Sequence, residues 1–300
     1  MAVALITGAS SGIGEATARR LAREPGIALV LVARSEERLR ALARELGGAN
    51  VVAVDLTDRD GPARILDAVM REHGQLHMLV NNAGCGWRGS FAETGSANVA
   101  RHMQLNFQAP VRLTEALLPL LRETARASAA GARGRRREAS AAGARGRRRE
   151  ATPDGAWTSA RGRVSIVNVA STAARVSRAG SGAYSASKFA FAGWSDALHL
   201  EERPHGVHVG LVLPGFVDTE SFPAAELLAR PTTRWIVSSP ERVAEAIMQA
   251  GPGGKAERYA PRPYWLAAAA RLLAPALVRR ALLAGVLTPS ARGLRSTVLR

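Results

Sequence analysis

At 300 residues and 31.7 kDa, with 47% hydrophobic residues and mean hydropathy near zero, the chain has a globular balance that excludes wholesale disorder and a collagen-like repeat. No uncharged run reaches the roughly 18 residues that a membrane-spanning helix needs, and the opening MAVALITGAS lacks the basic start of a secretory leader. Cys85 is the single cysteine, which excludes an internal disulfide and a multi-cysteine metal site, and a cytoplasmic enzyme is expected.

In chain order, strand-like runs fall at Val3–Thr7, Ile27–Ala33, Val51–Val54, Met78–Asn81, Val164–Val169 and Val207–Leu213. They are rich in Val, Ile and Leu without polar alternation, as in a parallel sheet buried on both faces. Helix-like stretches lie between them at Gly14–Glu24, Glu36–Leu46, Pro62–Glu72, Val99–Leu121 and Tyr184–Glu202. Repeated strand–helix units predict an α/β fold with a doubly wound parallel sheet (a Rossmann fold), whose right-handed crossovers fix the topology. Residues 1–260 are read as the nucleotide-binding catalytic domain.

The formal charge of +16 is concentrated in two places. Residues 124–162 hold ten Arg against Glu138, Glu150 and Asp154, and within them SAAGARGRRREA occurs twice in tandem, at 128–139 and 140–151. With almost nothing larger than Ala to bury, 124–162 is expected to be a disordered insert after a helix ending near Arg122. A basic arm for nucleic acid or anionic lipid is the alternative; a nucleic-acid partner is not expected, because such faces interleave basic residues with aromatics. Residues 261–300 form a Leu- and Arg-rich amphipathic tail. It is expected to pack on the core or a neighbouring subunit, or alternatively to make peripheral membrane contact through Trp265 and its leucines.

The first strand runs into Thr7-Gly8-Ala9-Ser10-Ser11-Gly12-Ile13-Gly14. A glycine-rich turn opening a helix lets backbone N–H groups approach a pyrophosphate, whose charge the helix dipole favours. The second strand ends Ala33-Arg34, where NAD enzymes place a carboxylate for the ribose hydroxyls. Arg34 can instead meet a 2′-phosphate, so NADP is favoured over NAD. Asp55 and Leu56, ending the third strand, are placed near the adenine. Asn81-Asn82-Ala83-Gly84 follows the fourth strand, Ser171 closes the fifth, and thirteen residues later Tyr184 opens Tyr-Ser-Ala-Ser-Lys, ending at Lys188. An ammonium one helical turn from a phenol lies on the same face and stabilises the phenolate, bringing it towards the working range of a general acid/base.

These motifs, in this order, resemble those of the short-chain dehydrogenase/reductase family, over roughly residues 2–250 outside the insert. The resemblance implies NADP-dependent hydride transfer between nicotinamide and a carbonyl or secondary alcohol, without a metal. By the same resemblance Tyr184 exchanges the proton, Lys188 lowers its pKa and holds the nicotinamide ribose, and Ser171 bonds the substrate oxygen. Asn106 anchors a water-linked proton relay. Asn82, Ala83 and Gly84 line the cofactor, and Pro214, Gly215, Val217 and Thr219 close over the nicotinamide. The apolar segment 223–237 covers the substrate, favouring a hydrophobic ketone, aldehyde or acyl compound. A homo-oligomer, dimer or tetramer, is implied through the helices read at 99–121 and 184–202. The rival reading is a non-catalytic NADP-binding scaffold or sensor that docks partners through the basic insert. His73 and His77 lie four apart but with no ligand cluster beside them, so no metal site is expected, and Cys85 is read as a small apolar filler.

Overall fold

The computed structural model describes residues 1–143 and 163–284, apart from 221, 223, 230 and 232. Its first half alternates β1 (Ala2–Thr7), α1 (Gly12–Leu21), β2 (Ile27–Ala33), α2 (Glu36–Glu45), β3 (Asn50–Ala53), α3 (Gly61–Glu72), β4 (Met78–Asn81), α4 (Phe91–Met103) and α5 (Ala109–Gly143). The second half contains β5 (Ser165–Val169), α6 (Gly182–Glu202), β6 (His208–Pro214), β7 (Phe216–Val217), α7 (Ala225–Leu228), β8 (Val237–Ser238), α8 (Pro240–Ala250), β9 (Glu257–Ala260), α9 (Tyr264–Leu273) and α10 (Pro275–Leu283).

Seven strands form one parallel sheet in the order β3-β2-β1-β4-β5-β6-β9, and β7 pairs with β8 in a separate ribbon. This is the doubly wound α/β fold that the strand–helix alternation predicts. The chain reverses direction across the sheet between β1 and β4, which opens a crevice at their carboxyl ends. The side-chain period of two divides the core. Ala4 and Ile6 of β1 join Leu31, Val167, Val212 and Ile247 on one face. Val3 and Leu5 join Val30, Ile166, Leu113 and Leu117 on the other.

On this second face runs a buried polar chain. Asn81 and Asn168 are register partners on β4 and β5. Asn81 Nδ2 donates to Asn168 Oδ1 (2.9 Å) and to Thr114 Oγ1 of α5 (3.0 Å). Asn168 Nδ2 donates to Ser195 Oγ of α6 (2.8 Å), whose hydroxyl donates to Phe191 O. This chain pins α5 and α6 to adjacent strands, and α6 carries Tyr184 and Lys188.

Three features differ from the sequence expectations. The helix expected at 99–121 is two helices joined by a π-helical turn at Gln104–Gln108. Its second part does not stop near Arg122: α5 continues to Gly143, so residues 124–143 of the expected disordered insert are helical, while 144–162 lie outside the described residues. Ala and Arg are strong helix formers, and a helix already nucleated on the core extends at little cost. The bidentate pair between Arg122 and the buried Glu202 (2.8 and 2.6 Å) ties α5 to the end of α6 where the stop was expected. Finally, α8 and β9 carry no motif. Yet α8 buries Val243, Ala244, Ala246, Ile247 and Ala250, and β9 completes the sheet beside β6.

Candidate active site

Every residue that the sequence motifs single out lies at the carboxyl edge of the parallel sheet or on the helix beside it. Gly8 to Gly14 link β1 to α1, Arg34 follows β2, and Asp55 and Leu56 follow β3. Asn82 to Gly84 follow β4, Ser171 follows β5, and Pro214 to Thr219 end and follow β6. Parallel strands put all these ends on one side, so distant segments meet.

The glycine turn is shaped to take a group pressed against backbone. Gly8 and Gly12 have φ of +66° and +56°, which side chains disfavour. A Cβ on Gly14 would collide with the Gly8 carbonyl and sit 2.7 Å from Asn82 Nδ2. Ser10 and Ser11 precede α1, and the Ser11 side chain makes no capping bond, so it leaves the amides of the first turn, Ile13 included, to another acceptor. Thr7 braces the turn: its hydroxyl donates to Val80 O (3.2 Å) and accepts the Asn82 and Ala83 amides (both 3.0 Å). A dinucleotide fits this cradle, with its pyrophosphate on the amino end of α1.

At the adenosine end, Arg34 is 81% exposed and lies 3.9 Å from Asp55. Asp55 accepts from the Thr57 amide and hydroxyl (2.8 and 2.7 Å), bonds that outweigh its burial and hold its carboxyl below the usual range. At the other end Thr219 overhangs the turn, its methyl 3.1 Å from where a Gly12 Cβ would be. The next residue, Glu220, pairs with Arg38 of α2 (2.8 Å), so the loop after β6 reaches across the crevice.

The reacting groups converge on the segment 84–86. A Cβ on Gly84 would lie 2.9 Å from Asn106 Oδ1 and 3.5 Å from Lys188 Nζ, and one on Gly86 would lie 3.5 Å from the Tyr184 ring. Asn106 sits in the π-helical turn, a distortion that turns its side chain inward. It accepts the Cys85 amide (2.9 Å) and donates to Cys85 O (2.9 Å) and Ser187 Oγ (3.1 Å). Lys188 is buried, donates to Val169 O (2.9 Å), and has its ammonium pushed down to about 8 by that burial. Its Nζ is 6.0 Å from the centroid of the Tyr184 ring.

Tyr184 departs from expectation. Its ring keeps partial exposure, but desolvation pushes the phenol above the ordinary tyrosine range. The Ser171 hydroxyl opposes this most, followed by the cations of Arg88 and Arg178. The Lys188 ammonium is itself penalised by burial and points its proton at a carbonyl.

Arg88 and Arg178 were not singled out by any motif. Each guanidinium stacks on a phenylalanine, Arg88 over Phe222 (4.8 Å) and Arg178 over Phe216 (4.6 Å), and the two rings stack on each other at 5.5 Å. His102 was also missed. Its buried ring accepts the Trp87 amide at Nε2 (3.1 Å), so Nδ1 carries the proton bonded to Asn98 O (2.8 Å), and burial keeps it neutral. The ring stands edge-on to Tyr184 (6.1 Å) and braces it. Cys85 is held as a thiol, its pKa pushed up to about 12 by burial, which suits a filler.

The "short chain dehydrogenase" family model matches residues 2–131 and 155–226. A putative ketoacyl reductase of Streptomyces coelicolor is 32% identical over 243 residues, 80% of this chain and 78% of the relative. Of other curated relatives the chain spans about three fifths of the length. Among solved structures, an alcohol dehydrogenase from Thermococcus sibiricus complexed with 5-hydroxy-NADP superposes with a TM-score of 0.65 at 25% identity, covering 86% of this chain and 94% of that one. A 3-ketoacyl-(acyl-carrier-protein) reductase from Brucella melitensis complexed with NADH gives 0.68 at 25% identity, covering 86% and 95%. With its glycine cradle, its tyrosine–lysine helix and these relatives, the chain belongs to the short-chain dehydrogenase/reductase family of nicotinamide-dependent oxidoreductases.

Proposed function

We propose that the chain is an NADP-preferring carbonyl reductase/alcohol dehydrogenase acting on a hydrophobic ketone, aldehyde or acyl compound. The observation that carries the reading is the convergence of Asn106, Tyr184 and Lys188 on one three-residue segment beside the glycine cradle. A scaffold would need the cradle but not that convergence.

Bound nicotinamide supplies or accepts the hydride. Gly8 to Gly14 and the amino end of α1 hold the pyrophosphate, Asn82 to Gly84 flank it, Asp55 and Leu56 border the adenine, and Pro214, Gly215, Val217 and Thr219 cover the nicotinamide end. Ser171 holds the substrate oxygen against Tyr184, which gives the phenolic proton to a carbonyl oxygen or takes one from an alcohol. Lys188 holds the ribose, and Asn106, fixed by its bonds to Cys85 and Ser187, anchors a water through which the lysine ammonium would exchange its proton with solvent. Apolar preference is supported by the cluster of Phe216, Leu227, Ile236 and Val237, with Phe222 and Tyr264 against it, which adjoins Arg88 and Arg178 beside Tyr184. The name of the Streptomyces relative supports an acyl-type ketone. NADP preference is supported by the exposed Arg34 where a carboxylate would serve NAD. Phe189 and Leu200 of α6 remain exposed, as a subunit contact through α5 and α6 would require.

The test is purified protein with NADPH or NADH and a panel of ketones and aldehydes. Tyr184→Phe is expected to lower kcat by at least about a hundredfold with cofactor binding retained, since it removes the acid alone. Cofactor binding without turnover of any carbonyl by the unmodified chain would support the scaffold. Arg34→Asp is expected to move preference from NADPH towards NADH, read as the ratio of kcat/KM values; an unaltered ratio refutes the role of Arg34.

A further inference from the structure

We propose that α9 and α10 form a docking surface for an anionic lipid bilayer. Across the twenty residues from Tyr264 to Leu283 only Ala268 is buried. Trp265 and Leu266 are 54% and 55% exposed, Leu272 and Leu273 80% and 86%, and Leu277 and Leu283 69% and 88%. The preceding α8, of similar length, buries five apolar side chains, so this exposure is a property of the tail rather than of helices in this fold.

The pattern of α9 is amphipathic. At 3.6 residues per turn, Trp265, Leu266, Ala269, Leu272 and Leu273 fall within an arc of about 120°, and Arg271 falls opposite. The break at Ala274 (φ −136°, ψ 60°) before Pro275 divides the segment into two short helices. Helices of ten and nine residues are too short to cross a hydrocarbon core about 30 Å thick. Among the described residues no helix is long and apolar enough to cross a membrane, so such a segment lies along an interface.

Charge selects the occupant. After Glu257 the sequence holds eight Arg and no Asp or Glu. Arg262, Arg279 and Arg280 are exposed on these helices or beside them. Two copies meeting through this face would oppose like charges. A bilayer with anionic headgroups offers apolar depth for the leucines and a negative layer for guanidiniums on long stems. The tail also touches the site. Tyr264 packs on Gly215 and donates to Ile236 O (3.2 Å), within the apolar cluster that covers the substrate side. Docking therefore turns that side of the catalytic domain towards the bilayer.

The experiment is co-sedimentation of the full chain with vesicles of phosphatidylglycerol and phosphatidylcholine, against phosphatidylcholine alone. Binding is expected to be at least about tenfold tighter to the anionic vesicles and to weaken with salt. Leu272→Ser, Leu273→Ser and Leu277→Ser combined should abolish it with thermal unfolding unchanged, because those side chains contribute no buried area. Deletion of 128–151 should leave it intact. No preference for anionic vesicles overturns the proposal, as does binding that survives the triple substitution or is lost with 128–151. A triple variant that dissociates a dimer while vesicle binding persists assigns the face to a second copy and overturns it too.

Discussion

Two cations without a motif, Arg88 and Arg178, favour the charged form of Tyr184. Burial raises the phenol, and only groups that favour the charged form offset it. Replacing Arg88 by Met keeps much of the packing on Phe222 but removes a charge that stabilises the phenolate. The phenol then rises further, so the base form needed for alcohol oxidation appears at higher pH. The limb of the oxidation profile is expected to move to higher pH in Arg88→Met. An unmoved limb would mean that the guanidinium is screened from the phenol. Lys188 is buried at about 8, close enough to neutrality for its charge to depend on what its ammonium contacts.

At the scale of elements, the buried amides decide how firmly the catalytic helix is held. Asn81 and Asn168 bridge β4 and β5 and reach α5 through Thr114 and α6 through Ser195. Asn168→Leu removes a donor and an acceptor at once and leaves Asn81 Nδ2 short of a partner. A loss of about 1–3 kcal/mol in urea unfolding is expected. A neutral result would mean that water replaces the amide. The same elements show what was readable. Strands of Val, Ile and Leu declared themselves, because burial on both faces leaves no polar alternation. α8 and β9 did not, because their role is to cover and close the sheet and they carry no chemistry. The π-helical turn at Gln104–Gln108 was invisible too: one extra residue in a helix changes neither composition nor apolar period.

For the whole molecule, α5 carries the chain away from the chemistry: it leads from the carboxyl side of β4 back towards the amino end of β5, the edge of the sheet opposite the crevice. Deleting residues 128–151 is expected to leave kcat and KM within about twofold of the full chain, because α5 runs to the edge of the sheet opposite the crevice. A collapse of activity in steady-state assays would show that the segment reaches the crevice or a subunit contact that forms it. The charge of +16 therefore divides between an arm, a tail and a nearly balanced catalytic body.

The order of the first six strands, the glycine turn, the tyrosine–lysine spacing and the basic residue after β2 were all determined by sequence alone. Each depends on neighbours within a few residues: backbone torsion at Gly8 and Gly12, helical pitch from Tyr184 to Lys188, the pattern of burial along a strand. Only tertiary structure decided that Gly84 and Gly86 press on Asn106, Lys188 and Tyr184, and that His102 braces the phenol. It likewise placed Arg88 and Arg178 beside the phenol and left the leucines of α9 and α10 uncovered. Those facts depend on which chain ends a parallel sheet gathers on one side, and on desolvation by residues remote in sequence, which no local pattern encodes.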